Sequence, residues 1–98
     1  MRKTTAMTAE SAEILALRAL QFLASDPERL GRFLAATGTG PEDLKARAGD
    51  PTFLGSVLDH LLQDESLIFL FAETENISPA TPEAARRMLP GGLPLAEG

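Results

Sequence analysis

The strongest constraint on this chain is a helix-start signal that recurs along it, a capping residue followed directly by proline. Asp26-Pro27 and Asp50-Pro51 pair a carboxylate cap with a proline at the first helical position, and Gly40-Pro41 is a weaker version of the same signal. Ser78-Pro79 and Thr81-Pro82 offer two competing starts for a last helix. Because proline is not tolerated in a helix interior, these signals divide the chain into short helices.

The ends of these helices can also be placed from single residues. Thr8 or Ser11 can cap a first helix that runs to about Ser25. Helices commonly end at a glycine or an asparagine in the left-handed conformation. Gly38, Gly49 and Asn76 are the candidates for such ends. The sequence therefore predicts an all-α fold, a compact array of five or six short helices in a single domain, near residues 8–25, 27–37, 41–48, 51–63, 65–75 and 79–89.

The apolar run Leu67–Phe71 has a composition that would also suit a buried strand. A lone strand has nothing to pair with, and Asp64-Glu65 before the run suits a helix N-terminus, so we predict a helix here as well. Around the helices, the sequence predicts a flexible leader over residues 1–7, a helical domain over residues 8–90 and a disordered tail over residues 91–98.

A short internal repeat relates the second predicted helix to the fourth. Residues 26–34 (DPERLGRFL) and 50–58 (DPTFLGSVL) share Asp, Pro, Leu, Gly and Leu at equivalent positions. A glycine in a helix interior costs about 1 kcal/mol relative to alanine. We therefore expect Gly31 and Gly55 each to permit a close helix crossing.

The repeat and the segments around it also carry a family resemblance. The most specific segments are Asp26-Pro27-Glu28-Arg29, Ala48-Gly49-Asp50-Pro51 and Asp64-Glu65-Ser66-Leu67. From Ala12 to Leu89, the chain resembles a family of small bacterial proteins known only as a domain of unknown function. The resemblance implies a compact helical fold and a soluble bacterial protein. It brings no activity, cofactor or catalytic residue that could be carried over to this chain.

Composition and charge restrict the partners of the protein. The chain has no cysteine, which excludes disulfides, thiolate zinc sites and cysteine nucleophiles. Its net charge is +1 over residues 1–49 and −6 over residues 50–98, and an acidic protein is repelled by nucleic acids and anionic membranes. The longest apolar run, Leu67–Ala72, is far below the ~20 residues of a membrane helix, and residues 1–13 lack the apolar segment of a secretory signal. We therefore expect a cytoplasmic protein without a membrane partner, and the charge disfavours a nucleic-acid partner.

Ser56, His60 and Asp64 would form one stripe on a helix, which resembles the order of a catalytic triad. The buried face of that helix is defined by Phe53, Leu54, Val57, Leu58, Leu61 and Leu62. The stripe is therefore expected in water, without a Gly-rich turn to supply an oxyanion hole. One histidine without cysteine does not make up a zinc site, and proximity to Asp64 is expected to favour the protonated imidazole of His60. We predict no catalytic, cofactor-binding or metal-binding residue, and a protein that is not an enzyme.

The chain carries more large apolar side chains than one narrow core face requires. Possible partner-binding residues on the first helix and the 67–71 run are Ile14, Leu17, Phe22, Phe69 and Phe71. Phe69 and Phe71 point about 200° apart on a helix, so both are buried only if that helix is covered on two sides. A central core helix and a surface for self-association or a protein partner both explain the pattern.

These observations favour a non-catalytic protein–protein interaction module, acting as a homodimer or as an adaptor. The alternative is a DNA-binding regulator of the helix-turn-helix type, because Leu44–Ala48, a turn at Gly49-Asp50-Pro51 and a helix over Phe53–Gln63 have about the right lengths. The second of these helices carries Asp59 and no Arg or Lys, which argues against reading base edges.

Overall fold

A computed structural model describes residues 7–91, and all regular structure within that range is helical. The elements are α1 (Ala9–Ala24), α2 (Pro27–Thr37), a 3₁₀ turn (Pro41–Asp43), α3 (Leu44–Arg47), α4 (Pro51–Leu62), α5 (Glu65–Glu75) and α6 (Thr81–Arg87). The predicted all-α array of five or six short helices is confirmed. Residues 1–6 and 92–98, which hold most of the predicted leader and tail, lie outside the described range.

The predicted side-chain caps start four of the helices. Thr8 and Ser11 both act at the start of α1, since the Thr8 hydroxyl accepts from the Ser11 amide at 3.0 Å and the Ser11 hydroxyl accepts from the Thr8 amide at 2.9 Å. The carboxylates of Asp26, Asp50 and Asp64 each accept from the amide two residues further on, at 3.0 Å. Such a cap stabilises a helix by about 1 kcal/mol, which sets the starts of α2, α4 and α5 locally.

Two of the three predicted left-handed helix ends are confirmed, and one is wrong. Gly38 follows α2 with φ 69° and Asn76 follows α5 with φ 59°. Gly49 does not have a positive φ, and α3 ends in a right-handed conformation with φ −61°. The chain turns there because the Asp50 amide donates to the Arg47 carbonyl at 2.8 Å, which replaces the glycine-dependent ending.

The last helix begins near the second of its two competing starts, but its N-cap is Ala80, without a side-chain cap hydrogen bond, and Thr81 is the first helical residue instead of the cap. The Ser78 side chain accepts from the Ala80 amide at 3.1 Å and its carbonyl accepts from the Thr81 amide at 3.0 Å, so a turn forms where the earlier start was possible. α6 then begins at Thr81, with Pro82 buried against the core. The predicted helix over residues 79–89 is therefore too long at both ends, and the predicted helix over residues 41–48 is divided into the 3₁₀ turn and α3.

The helices α1 and α4 form the centre of the fold. α4 packs against α1, α2, α5 and α6, and α1 also packs against α2 and α6. Ala12, Ala16 and Ala19 of α1 are fully buried, and their spacing of three and four residues places them on one face. The largest fully buried side chains are Phe33, Phe71, Leu23, Leu58, Leu61 and Val57.

The two glycines of the internal repeat have different surroundings. A Cβ added at Gly55 would lie 3.0 Å from a guanidinium nitrogen of Arg86 and 3.2 Å from the Pro90 carbonyl oxygen. Arg86 is held there by a bidentate pair with Asp59, at 2.6 and 3.0 Å, and donates to the Pro90 carbonyl at 3.0 Å. Nothing lies within 4 Å of a Cβ added at Gly31. Gly55 is therefore approached closely, by the Arg86 side chain and the Pro90 carbonyl and not by the backbone of a crossing helix, and the expectation of a close approach is wrong for Gly31.

Candidate interaction surface

An apolar groove of about 270 Å³ lies between α1 and α3. It is lined by Leu17, Leu20, Gln21 and Ala24 of α1, by Leu44 and Lys45 of α3, and by Ala48 directly after α3. Residues three and four apart share one face of a helix, so each helix contributes one wall. Leu20 is buried at the floor of the groove, whereas Leu17 and Ala24 are exposed. The groove therefore presents apolar atoms to solvent.

α1 lines this groove because its apolar residues extend beyond the face that packs in the core. Ile14 is 53% exposed and Leu17 is 37% exposed, although Ala16 between them is fully buried. Ile14 and Leu17 are i,i+3 neighbours on the helix surface, so Ile14 extends the wall beyond the groove. The strongly apolar sequence of α1 thus accounts for both a core helix and an exposed apolar surface.

Of the five residues predicted as possible partner contacts, three are exposed and two belong to the core. Ile14, Leu17 and Phe69 are exposed, the last by 54%. Phe22 and Phe71 are buried, and their ring centroids lie 5.4 Å apart. Phe22 and Phe71 therefore stabilise the contact between α1 and α5, and the candidate surface is reduced to the three exposed residues.

Other apolar residues of the candidate surfaces were not predicted. Leu70, next to Phe69, is 42% exposed, and the groove is also lined by Leu20, Ala24, Leu44 and Ala48. Leu44 and Ala48 are spaced i,i+4, which is a usable signal, but α3 is too short for a periodic pattern. Leu70 lies about 100° from Phe69 on a helix, so a complete helical projection of α5 could identify it.

Ser56, His60 and Asp64 do not form a triad in the structure. The Ser56 hydroxyl donates to the Phe53 carbonyl at 2.6 Å, and the Asp64 carboxylate accepts from two amides of the first turn of α5, at 3.0 and 3.4 Å. Within residues 7–91, no hydrogen bond or ion pair joins His60 to either of them. The hydroxyl and the carboxylate thus satisfy helix backbone groups and do not orient the imidazole.

The His60 ring lies partly buried against the edge of the core. Its centroid is 5.3 Å from that of Phe33, in an edge-to-face arrangement. Burial lowers the pKa of His60 below its ordinary value of 6.5, and the charge of Asp64 acts in the opposite direction. The expected effect of Asp64, which favours the protonated imidazole, is present, but burial is the larger effect and the net direction is downward.

The carboxylates near the ends of helices have capping and pairing roles. Asp59 pairs with Arg86, and Glu75 pairs with Arg18 and so joins α5 to α1. Among the residues that the structure describes, no group of three or more His, Asp or Glu side chains is placed to hold a metal ion. None of the helices in this range combines the length and apolar character that crossing a membrane requires.

In the helix-turn-helix alternative, α3 would be the first helix of the motif and α4 the recognition helix. The buried residues of α4 are Phe53, Leu54, Gly55, Val57, Leu58 and Leu61. A recognition helix needs an exposed face with donors for base edges and phosphates. α4 is covered by four other helices and contains neither Arg nor Lys. Its position serves the core and offers little surface to DNA.

Comparison with known proteins identifies a family whose model matches most of the chain. The model of the DUF3572 family, described as "Protein of unknown function (DUF3572)", matches residues 9–92. The resemblance to a family of unknown function, expected from residues 12–89, is thereby confirmed. No curated protein and no solved structure matches the chain.

Proposed function

The chain belongs to the DUF3572 family, and we propose that it is a non-catalytic protein–protein interaction module. The observation that carries the proposal is the apolar groove between α1 and α3, with Ile14 and Leu17 exposed beside and within it. Contiguous exposed apolar surface is a feature of protein contacts, and a groove between helices suits an apolar helix face.

The energetics of the groove support this proposal. Complete burial of an apolar side chain contributes roughly 1.5–3 kcal/mol. Ile14 retains 53% of its exposure and Leu17 37%, so covering both would contribute roughly 1.4–2.7 kcal/mol, and the remaining lining would add to it. Gln21 and Lys45 supply polar atoms at the same groove, which matches the combination of an apolar centre and a polar rim in protein interfaces.

The partner in this proposal is a second copy of the chain or another protein with an apolar helix face. Phe69 and Leu70 on α5 form a second exposed apolar pair, which could extend the contact or serve a different one. Acidic residues dominate the second half of the chain, so a partner of opposite charge would also associate faster.

Size-exclusion chromatography with light scattering, combined with affinity capture, tests the proposal. The wild-type chain is compared with Ile14→Lys, which places a charge on the apolar surface of α1. Met88→Lys is the matched control, because Met88 is a similarly exposed apolar residue that directly follows α6 and does not line the groove. We expect association by the wild type and the control, and at least roughly tenfold weaker association by Ile14→Lys.

Two outcomes would contradict the interaction module. A wild-type chain that stays monomeric at all concentrations and captures no protein would remove its basis. A partner that Ile14→Lys and Met88→Lys retain equally would place the contact elsewhere on the molecule.

We also propose that the protein acts in the cytoplasm of a bacterium, as the sequence leads us to expect. Fractionation of cells that express the native protein tests this location. Recovery with membranes or outside the cell would contradict it.

A further inference from the structure

We infer that a cleft between α2, α4 and α5 is a binding site for a small oxyanion, the shared chemistry of a phosphate group and a carboxylate. The cleft has a volume of about 190 Å³. It is lined by Arg29, Arg32, His60, Gln63, Asp64 and Leu67. A water molecule takes about 30 Å³ in the liquid, so the cleft holds roughly six waters and has room for such a group. It shares no lining residue with the α1–α3 groove and is independent of the proposed protein contact.

Arg29 is held in place before any ligand arrives. Its guanidinium lies over the Phe22 ring, 4.8 Å from the centroid, and its Nε is 3.6 Å from an Asp26 carboxylate oxygen. Within residues 7–91 it donates no hydrogen bond shorter than that contact. A guanidinium has five N–H donors, so donors stay free for a ligand while stacking limits the entropy lost on binding.

Arg32 adds a second guanidinium to the same wall of the cleft. Arg29 and Arg32 are i,i+3 neighbours on α2, which places their side chains side by side. The nearest carboxylate to Arg32 is that of Glu28, at 3.9 Å, in an exposed pair of the kind that contributes little. Two adjacent guanidinium groups match the several oxygen atoms of a phosphate or carboxylate, which they can bind with paired hydrogen bonds.

The opposite wall is polar and contains His60 and Gln63, while Asp64 lies at the start of α5. The charged residues that line the cleft together with His60 are Arg29 and Arg32 on α2 and Asp64, and the Asp64 charge acts on the imidazole. One oxygen of Asp64 is already occupied by two backbone amides of α5. The lining of the cleft thus carries two arginines and one carboxylate, while the carboxylates paired with these arginines, those of Asp26 and Glu28, lie outside the lining.

An oxyanion between the arginines and the imidazole would have a measurable effect on His60. A nearby negative charge favours the protonated imidazole, so binding raises the pKa of His60 from its lowered value. His60 is the only histidine of the chain, and its ring-proton NMR signal therefore reports on this cleft alone.

The test is a titration of the full chain with inorganic phosphate, followed through the His60 ring-proton signal at constant ionic strength. A second titration uses acetate, so that the two arms distinguish phosphate from carboxylate. We expect a saturable shift with at least one anion and a raised pKa of His60 at saturation. The absence of a saturable shift with either anion would overturn the inference.

Two charge-matched variants show whether the arginines bind the anion. Arg32→Gln removes an exposed charge of the cleft and leaves the Arg29 stack intact, and we expect roughly tenfold weaker binding. Arg47→Gln removes the same charge from α3, where the guanidinium lies over Phe53 and outside the cleft, and we expect unchanged binding. Circular dichroism confirms that both variants are folded. Equal affinity of the two variants would overturn the site, because the anion would then respond only to net charge.

Discussion

Phe69 and Phe71 lie two residues apart on α5, and replacing each with alanine separates a core residue from a surface residue of the same type. Phe71 is fully buried against Phe22, whereas Phe69 is 54% exposed. The two substitutions remove the same atoms from the same helix and have the same effect on helix propensity. The difference between their free energies of unfolding therefore measures burial directly.

The expected loss for Phe71→Ala follows from its buried area. A phenylalanine buries roughly 150–250 Å², which corresponds to roughly 4–6 kcal/mol at about 25 cal/mol per Å². Alanine retains part of this area, so the expected loss is about 3–5 kcal/mol. For Phe69→Ala, we expect a loss of at most about 1 kcal/mol.

Urea unfolding monitored by circular dichroism is the suitable assay, because the chain has neither Trp nor Tyr for fluorescence. A domain of this size has about 5–15 kcal/mol of total stability. A loss of about 3–5 kcal/mol would unfold the domain if its stability lies at the lower end of this range. Phe71→Leu, with an expected loss below about 1.5 kcal/mol, keeps the comparison measurable. Equal losses for Phe69→Ala and Phe71→Ala, or a larger loss for Phe69→Ala, would refute the placement of α5.

Three further predictions concern caps, glycines and pH. Asp50→Ala should cost about 1 kcal/mol in urea unfolding, whereas Asp43→Ala, at a helix start without a side-chain cap, should be close to neutral; equal effects would contradict the capping role. Gly55→Ala should destabilise the protein by about 1–3 kcal/mol, because the added Cβ would meet atoms at 3.0 and 3.2 Å. Gly31→Ala should stabilise it by about 0.5–1 kcal/mol, since nothing lies near the added Cβ. Changes of the same sign in the free energy of unfolding would contradict the difference between the two glycines. Because folding lowers the pKa of His60, the unfolded chain binds the imidazole proton more tightly than the folded chain does. The contribution of His60 to stability is therefore complete above pH 6.5 and is lost as the pH falls below that value. His60→Gln should flatten this part of the stability profile, and an NMR titration that places the pKa above 6.5 would contradict the sign.

The parts of the fold that depend on neighbouring residues in the sequence could be predicted well. Asp26, Asp50 and Asp64 cap their helices through amides two residues away, so the starts of α2, α4 and α5 are local properties. Gly38 and Asn76 likewise end their helices within a few residues. Local hydrogen bonds of this kind do not depend on how the helices pack.

Predictions that depended on distant residues were less successful. Gly31 and Gly55 occupy equivalent positions of the internal repeat, yet only Gly55 lies against another segment, because Arg86 is brought there by α6. The pKa direction of His60 also required knowledge of its burial beside Phe33, which is far away in the sequence.

The candidate surface shows the same division between local and distant information. The sequence identified α1 and the 67–71 run as unusually apolar, and Ile14, Leu17 and Phe69 are exposed. It could not decide which of Phe69 and Phe71 is buried, because the answer depends on which side of α5 meets α1. Nor could it show that α3 packs beside α1 to form a groove.

Methyl NMR of the isoleucines tests the proposed contact most directly. Ile14 is exposed on α1, whereas Ile68 and Ile77 pack partly buried against the core and serve as internal controls. Spectra are recorded for dilute protein, for concentrated protein and for labelled protein in an unlabelled lysate of its source cells. The interaction module predicts that the Ile14 signal shifts or broadens in at least one of the last two samples, and that Ile14→Lys abolishes the association. An Ile14 signal that stays unchanged in all three samples would contradict it.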